Sequence, residues 1–223
     1  MDPSPLEPLV DTTRLIAIRH GETAWNVDTR LQGHLDIPLN ERGLWQAAQA
    51  GRALADEPVA AIYSSDLARA LVTAQAIAQT TGAPLRTTDR LRERSFGWMQ
   101  GRTFADIEQS HPEEARRWRQ RDPDFAAEGG ESLRQLQARI AAITETIAQA
   151  HPGELVVLVA HGGVMDILYR LATRQDLQAP RTWSLANAAI NRLLWTGEGL
   201  GLVGWGDTRH LEDAEALRDE TST

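Results

Sequence analysis

The sequence predicts an α/β fold: a three-layer sandwich in which a mostly parallel central sheet is flanked by helices. Two observations carry this prediction. Short aliphatic runs at 15–18, 60–63 and 155–160 alternate with longer stretches whose apolar residues recur every three or four positions. The run at 155–160, Leu-Val-Val-Leu-Val-Ala, is unbroken and rich in β-branched residues, the pattern of a central strand covered on both faces.

The elements follow in order. After the strand at 15–18, Asn40 is a good N-cap for a helix that places Leu44, Ala47, Ala48, Gly51 and Leu54 on one face. A second strand, 60–63, leads to a helix expected to be capped by Asp66, with Leu67, Ala70, Leu71, Ala74, Ile77 and Ala78 inward. Gly82 stops that helix ahead of Pro84. The charged stretch from about 90 to 130 is irregular, helical in pieces between 103 and 121, and reads as an elaboration over the site. Ser132 and Gln135 form a capping-box pattern for a helix with Leu133, Leu136, Ile140, Ile143 and Ile147 on one stripe. A helix over 162–172 follows the central strand, and two late strands are expected near 188–195 and 200–206. This gives one domain over 14–208. Residues 1–13, with three prolines among the first eight, read as a flexible lead-in without the basic and apolar regions of a signal peptide, and 209–223 as a polar tail that frays.

Composition narrows the chemistry. The 223 residues carry a formal charge of −8, which disfavours nucleic acid or an anionic membrane as partner. No apolar run approaches the roughly 20 residues that cross a bilayer. Cysteine is absent, so thiol nucleophiles and thiolate metal sites are excluded, and a reducing cytoplasm is compatible.

In an open α/β sheet, ligands bind beyond the carboxyl ends of the strands. The first run ends in Arg19-His20-Gly21, the second in Ser64-Ser65-Asp66 with Arg69 in the next turn, and the central one in His161-Gly162-Gly163. Two arginines and two histidines would meet at one sheet edge, beside helix N-termini that add partial positive charge. That set suits a phosphate, whose oxygens match guanidinium forks. Neighbouring cations favour a neutral imidazole, able to attack phosphorus. His34, His111, His151 and His210 are read as structural. Residues 199–204 spell GxGxxG, but no helix follows, so a glycine-rich turn into a last strand is the better reading.

The string Arg19-His20-Gly21-Glu22-Thr23, followed by Trp25-Asn26, resembles the signature of the histidine phosphatase superfamily (phosphoglycerate-mutase-like, branch 1). The resemblance continues through 31–39 with Gly43, through 63–70, through Leu91-Arg92-Glu93-Arg94 with Phe96-Gly97, and through Gly130-Glu131-Ser132 to 159–163, in order from about residue 14 to 206. It implies a phosphoglycerate-mutase-like fold and a phosphohistidine intermediate on His20. Arg19, Arg69 and His161 would hold the phosphoryl group, Glu93 would be the proton donor and acceptor, and Thr23, Asn26, Gly33 and Gly162 would line the pocket. No metal is implied.

Within the family, water as acceptor gives a phosphatase and a substrate hydroxyl gives a mutase. The mutases carry a longer insertion before the second histidine. Here 68 residues separate Glu93 from His161 (161 − 93), so a phosphomonoesterase acting on a small phosphorylated metabolite in the cytoplasm is expected. The alternatives are a phosphoglycerate mutase, which alone would call for 2,3-bisphosphoglycerate, and a catalytically inactive phosphate-binding module. Arg116 and Arg117 bear on the mutase reading if they reach substrate, although Glu113 and Glu114 offer them helical ion pairs. Dimers are common in the family, so a homodimer is compatible.

Overall fold

The computed structural model describes residues 12–212. Six strands form one sheet: β1 (Thr13–Arg19), β2 (Val59–Ser65), β3 (Leu85–Thr88), β4 (Leu155–Ala160), β5 (Ile190–Thr196) and β6 (Gly199–Asp207), in the spatial order β3-β2-β4-β1-β5-β6. β4 runs parallel to both β1 and β2, and β3 parallel to β2, while β5 and β6 close the far edge antiparallel. Every residue of β4 is buried, as its unbroken apolar run requires.

The helices cover both faces: α1 (Ala24–Val27), α2 (Glu41–Ala53), α3 (Ala68–Thr81), α4 (Phe104–Ser110), α5 (Pro112–Arg119), α6 (Leu133–Gln149) and α7 (Gly162–Thr173). The two-residue period of a strand sorts side chains between the layers. Leu15, Ala17, Val156 and Leu158 face Leu136, Ile140 and Ile143 of α6 and Ile167 of α7. Ile16, Ile18, Val157 and Val159 face Ala50, Ala70, Ala74 and Ile77 of α2 and α3. Each fully buried leucine or isoleucine here is worth about 2 kcal/mol of transfer free energy. A third cluster, Met99, Ile107, Ala115, Phe125 and Ala127, gives the elaboration over 90–130 its own small core.

The capping box on Ser132 and Gln135 forms, and Gly82 ends α3 with φ 72°, a conformation that costs glycine little. Four details differ from the sequence expectations. Leu44 is 52% exposed, and the buried face of α2 is Gly43, Gln46, Ala47, Gln49, Ala50 and Gly51. Small residues let α2 approach its neighbours closely, which rotates the stripe. Asp66 does not cap α3. Its carboxylate takes two hydrogen bonds from Arg92, at 2.7 and 2.5 Å, while Asp36 accepts from the Ala68 N–H. β3 is an additional edge strand, too short and polar to stand out in the sequence. Finally, the start of the C-terminal tail is packed: Leu211 is buried and a His210 ring nitrogen meets Ala188 O at 3.1 Å. Residues 213–223, and 1–11 of the lead-in, lie outside the described residues. The GxGxxG string sits in β6, paired antiparallel with β5, and opens no helix.

Candidate active site

The sheet order assembles the pocket. In the β1–β4 register Arg19 lies opposite Ala160, and the His20 N–H donates to Ala160 O at 2.9 Å, so the two strands release His20 and His161 side by side. Their ring centroids are 5.2 Å apart at 59°. β2, on the other side of β4, delivers the start of α3 and with it Arg69, 1% exposed. Glu93 comes from the loop after β3.

His20 is buried, and its Nδ1 stands 2.7 Å from Gly21 O. A carbonyl only accepts, so the ring proton belongs on Nδ1 and the Nε2 lone pair is free. Burial, then the charges of Arg19 and Arg69, hold the His20 pKa well below its ordinary 6.5. His161 is depressed likewise, first by burial and then by Arg69. Both rings are therefore neutral at physiological pH.

The guanidinium groups are fixed from behind. Arg19 Nη1 donates to Leu185 O at 2.5 Å, and Arg69 donates to Leu35 O and Gly33 O at 2.9 and 2.8 Å. Burial brings Arg69 down to about 10, which leaves it charged. In contrast, Arg19 Nε, Arg69 Nε and both ring nitrogens of His161 are buried without a hydrogen-bond partner. An unsatisfied buried polar group costs about 1–3 kcal/mol. Arg19 and Arg69 line one cavity and the His161 ring packs against that of His20, a cationic, donor-rich set suited to an anion. The Glu93 carboxylate is held at the N-terminus of α7, accepting from the Gly163 N–H at 3.0 Å and the Arg94 N–H at 2.8 Å. Arg19, His20, Asn26, Gly33, Arg69 and Glu93 line a cavity of about 150 Å³.

Two expected lining residues adjoin the cavity from behind its wall. Thr23 has no exposed surface: it forms a capping box with Asn26 and accepts a hydrogen bond from Gln32 Nε2 at 2.8 Å, so it supports the pocket from behind. Gly162 opens α7 against Arg19, where a Cβ would lie 3.5 Å from Arg19 Nε. Asn187, which the sequence did not single out, donates to His20 O at 2.8 Å and reaches Asn26 Oδ1 at 3.3 Å. A lone asparagine ahead of a strand carries no spacing signal. Gln32 and Phe96 also border the cavity. His34 meets Glu93 O at 2.8 Å, His111 packs on Trp98, and His151 sits between Tyr63 and Glu154. Arg116 pairs with Glu113 and Arg117 with Asp122, and neither is among the residues lining the cavity.

Neutral burial of two histidines has a consequence for stability. The unfolded chain takes up protons on these rings below about pH 6.5, and the folded pocket refuses them. Stability is expected to be insensitive to these two groups above that pH and to fall by about 1.4 kcal/mol per pH unit for each ring below it, until the depressed folded pKa is reached. Urea unfolding between about pH 7.5 and 5.5 checks this. The slope should shrink in His161→Asn, and equal slopes would contradict it.

Fold and pocket define a class: an α/β protein in which two buried arginines surround a neutral imidazole at the carboxyl edge of a mostly parallel sheet. The chain belongs to the histidine phosphatase superfamily (branch 1), whose profile matches residues 15–208. It is 38% identical to phosphoglycerate mutase-like protein 4 of Arabidopsis thaliana over 94% of this chain and 91% of that one. It is 37% identical to a metal-independent phosphoserine phosphatase of the same plant, over 93% and 87%. Among solved structures, a mycobacterial glucosyl-3-phosphoglycerate phosphatase in complex with VO3 superposes with a TM-score of 0.78 at 33% identity, covering 87% of this chain and 99% of that chain. Among the described residues no helix is long and apolar enough to cross a membrane, and no group of three or more histidine, aspartate or glutamate side chains is placed to hold a metal ion.

Proposed function

We propose that the protein is a metal-independent phosphomonoester hydrolase that works through a phosphohistidine on His20, acting on a small phosphorylated metabolite in the cytoplasm. The observation that carries this reading is the set of unpartnered buried nitrogens of Arg19, Arg69 and His161 facing a histidine whose Nε2 is free. His20 Nε2 attacks phosphorus as the bond to the ester oxygen breaks, and Glu93, protonated for this step, gives that oxygen its proton. The intermediate carries positive charge on the ring, which the Nδ1–H···O=C contact to Gly21 stabilises. Water then attacks phosphorus, Glu93 takes its proton back, and neutral His20 and free phosphate result. Arg19, Arg69 and His161 supply donors to the non-bridging oxygens throughout, which is most of what phosphoryl transfer asks of a protein.

Hydrolysis is favoured over mutase chemistry by the short span from Glu93 to His161 and by the ion pairs that occupy Arg116 and Arg117. A family relative is itself named a metal-independent phosphatase. The test is turnover of p-nitrophenyl phosphate with and without EDTA, together with phosphoglycerate isomerisation in the presence of 2,3-bisphosphoglycerate. Chelator-resistant hydrolysis is expected. Isomerisation exceeding hydrolysis would make the protein a mutase, and no turnover between about pH 5 and 8 would overturn the enzyme reading.

A further inference from the structure

Beside the phosphoryl cavity lies a second one of about 280 Å³, and Phe96 is a wall of both. Phe96, Trp118, Leu133 and Leu136 make its apolar lining, and Gly163, the residue that holds Glu93, borders it. Four charged groups face it: Arg94, Arg121, Asp166 and Arg181. Two of the arginines are already engaged. Arg94 donates to Glu131 O and Phe125 O at 2.6 and 2.7 Å and lies over the Trp118 ring. Arg121 donates to Leu177 O at 2.7 Å and to Asp166 at 2.6 Å. Asp166 is shared with Arg170, at 3.0 Å. Arg181 differs: it is exposed at the rim, among the described residues it has no hydrogen-bond or ion-pair partner, and its charge adds to the burial that lowers the pKa of Arg19.

The segment that carries Arg181 is irregular but firmly held. Arg170, 1% exposed, donates to Asp176 O and, at 2.9 Å, to Ala179 O. Arg121 holds Leu177 O. On the far side Trp183 is buried, stacked on Tyr169 with centroids 4.0 Å apart, and Arg170 lies over its ring. Only Pro180, Arg181 and Thr182 remain between these anchors, and the proline ring fixes φ immediately before Arg181. Clamped backbone on both sides reduces the entropy lost when the guanidinium engages a ligand.

Resting on the hydrolase reading, we infer that Arg181 is a specificity-determining residue that reads a carboxylate on the leaving group, so that the favoured substrates are phosphomonoesters of small hydroxy acids. The phosphoryl group sits among Arg19, Arg69 and His161, the ester oxygen meets Glu93, and the organic part passes Phe96 into the second cavity. There an apolar lining accepts its carbon skeleton, and the one guanidinium not already paired meets its second anion. Carboxylate is the group a guanidinium fork matches in a compartment of this size.

The experiment compares 3-phosphoglycerate with glycerol 3-phosphate, which differ at the far end by carboxylate against hydroxymethyl, with p-nitrophenyl phosphate as reference. The wild type is expected to prefer 3-phosphoglycerate over glycerol 3-phosphate by about 10- to 100-fold in kcat/KM. Arg181→Ala should erase most of that preference through KM, because the contact lies away from the reacting atoms, and Arg181→Lys should restore part of it. A wild type without the preference, or a preference untouched in Arg181→Ala, overturns the inference even if p-nitrophenyl phosphate is turned over. If none of the three esters is hydrolysed, the hydrolase reading fails. Calorimetric binding of the same two phosphates then still reads Arg181: equal affinity of wild type and Arg181→Ala for 3-phosphoglycerate refutes its role.

Discussion

His20→Ala is expected to lower turnover of p-nitrophenyl phosphate by at least about 10,000-fold, equivalent to about 5.5 kcal/mol of barrier, and to abolish the phosphoenzyme. The reasoning is specific to this pocket. In the proposed reaction the Nε2 lone pair of His20 is the nucleophile among the guanidinium groups, and the Gly21 carbonyl fixes the tautomer that exposes it. His161 stands close by and is neutral too, but both of its ring nitrogens are buried without a partner. Nothing orients its proton as Gly21 orients that of His20, so it is poorly suited to replace the nucleophile. Because Arg19, Arg69 and His161 survive the substitution, the variant should remain folded and still bind phosphate. Activity assays, trapping of the phosphoenzyme by intact mass, and circular dichroism check this together. A folded His20→Ala that kept activity within tenfold of wild type would move the chemistry to another residue, with His161 the first to examine.

The parts of the fold that the sequence made legible are those where one local pattern decides the outcome. The run at 155–160 is apolar at every position, so it belongs between two layers. Once it sits between the first two strands, the residues that follow each strand share one edge. Arg19, His20, Arg69 and His161 could thus be placed together before any distance was known. Distant partners outweighed local rules elsewhere. Asp66 stands where a cap is expected, but Arg92, 26 residues on, offers a bidentate ion pair worth more than one capping hydrogen bond. Leu44 fits a helical stripe, but the close approach of α2 selects small residues and turns that stripe outward. Asn187 and Arg181 were invisible for another reason. Both lie in irregular segments, where position is set by tertiary anchors and no period marks the residue.

The close approach of α2 also sets up the second large effect. Gly43→Ala is expected to destabilise the fold and to damage the pocket at the same time. A Cβ on Gly43 would lie 2.0 Å from Glu22 O, 2.8 Å from Glu22 N and 2.9 Å from Glu22 C. All three are backbone atoms, so no side-chain rotation relieves the overlap. The φ of Gly43 is not positive, and alanine in a helix gains about 0.5–1 kcal/mol over glycine. Overpacking against an unyielding neighbour costs about 1–3 kcal/mol or more. At 2.0 Å from backbone the clash takes the upper end of that range and wins, leaving net destabilisation of about 2 kcal/mol. Catalysis suffers separately. The segment being pushed is tied to α2 by Asn40 N–H to Glu22 O at 3.0 Å and Glu22 N–H to Gln46 Oε1 at 2.8 Å, and His20 is two residues before it. A displacement of the nucleophile by about 1 Å costs on the order of 100-fold in rate. Gly204→Ala is the control: nothing lies within 4 Å of the added Cβ, so its stability should stay within about 0.5 kcal/mol of wild type. Urea midpoints and kcat/KM for both variants decide the matter. A Gly43→Ala protein as stable and as active as Gly204→Ala would mean that the contact between α2 and the loop after β1 does not position His20.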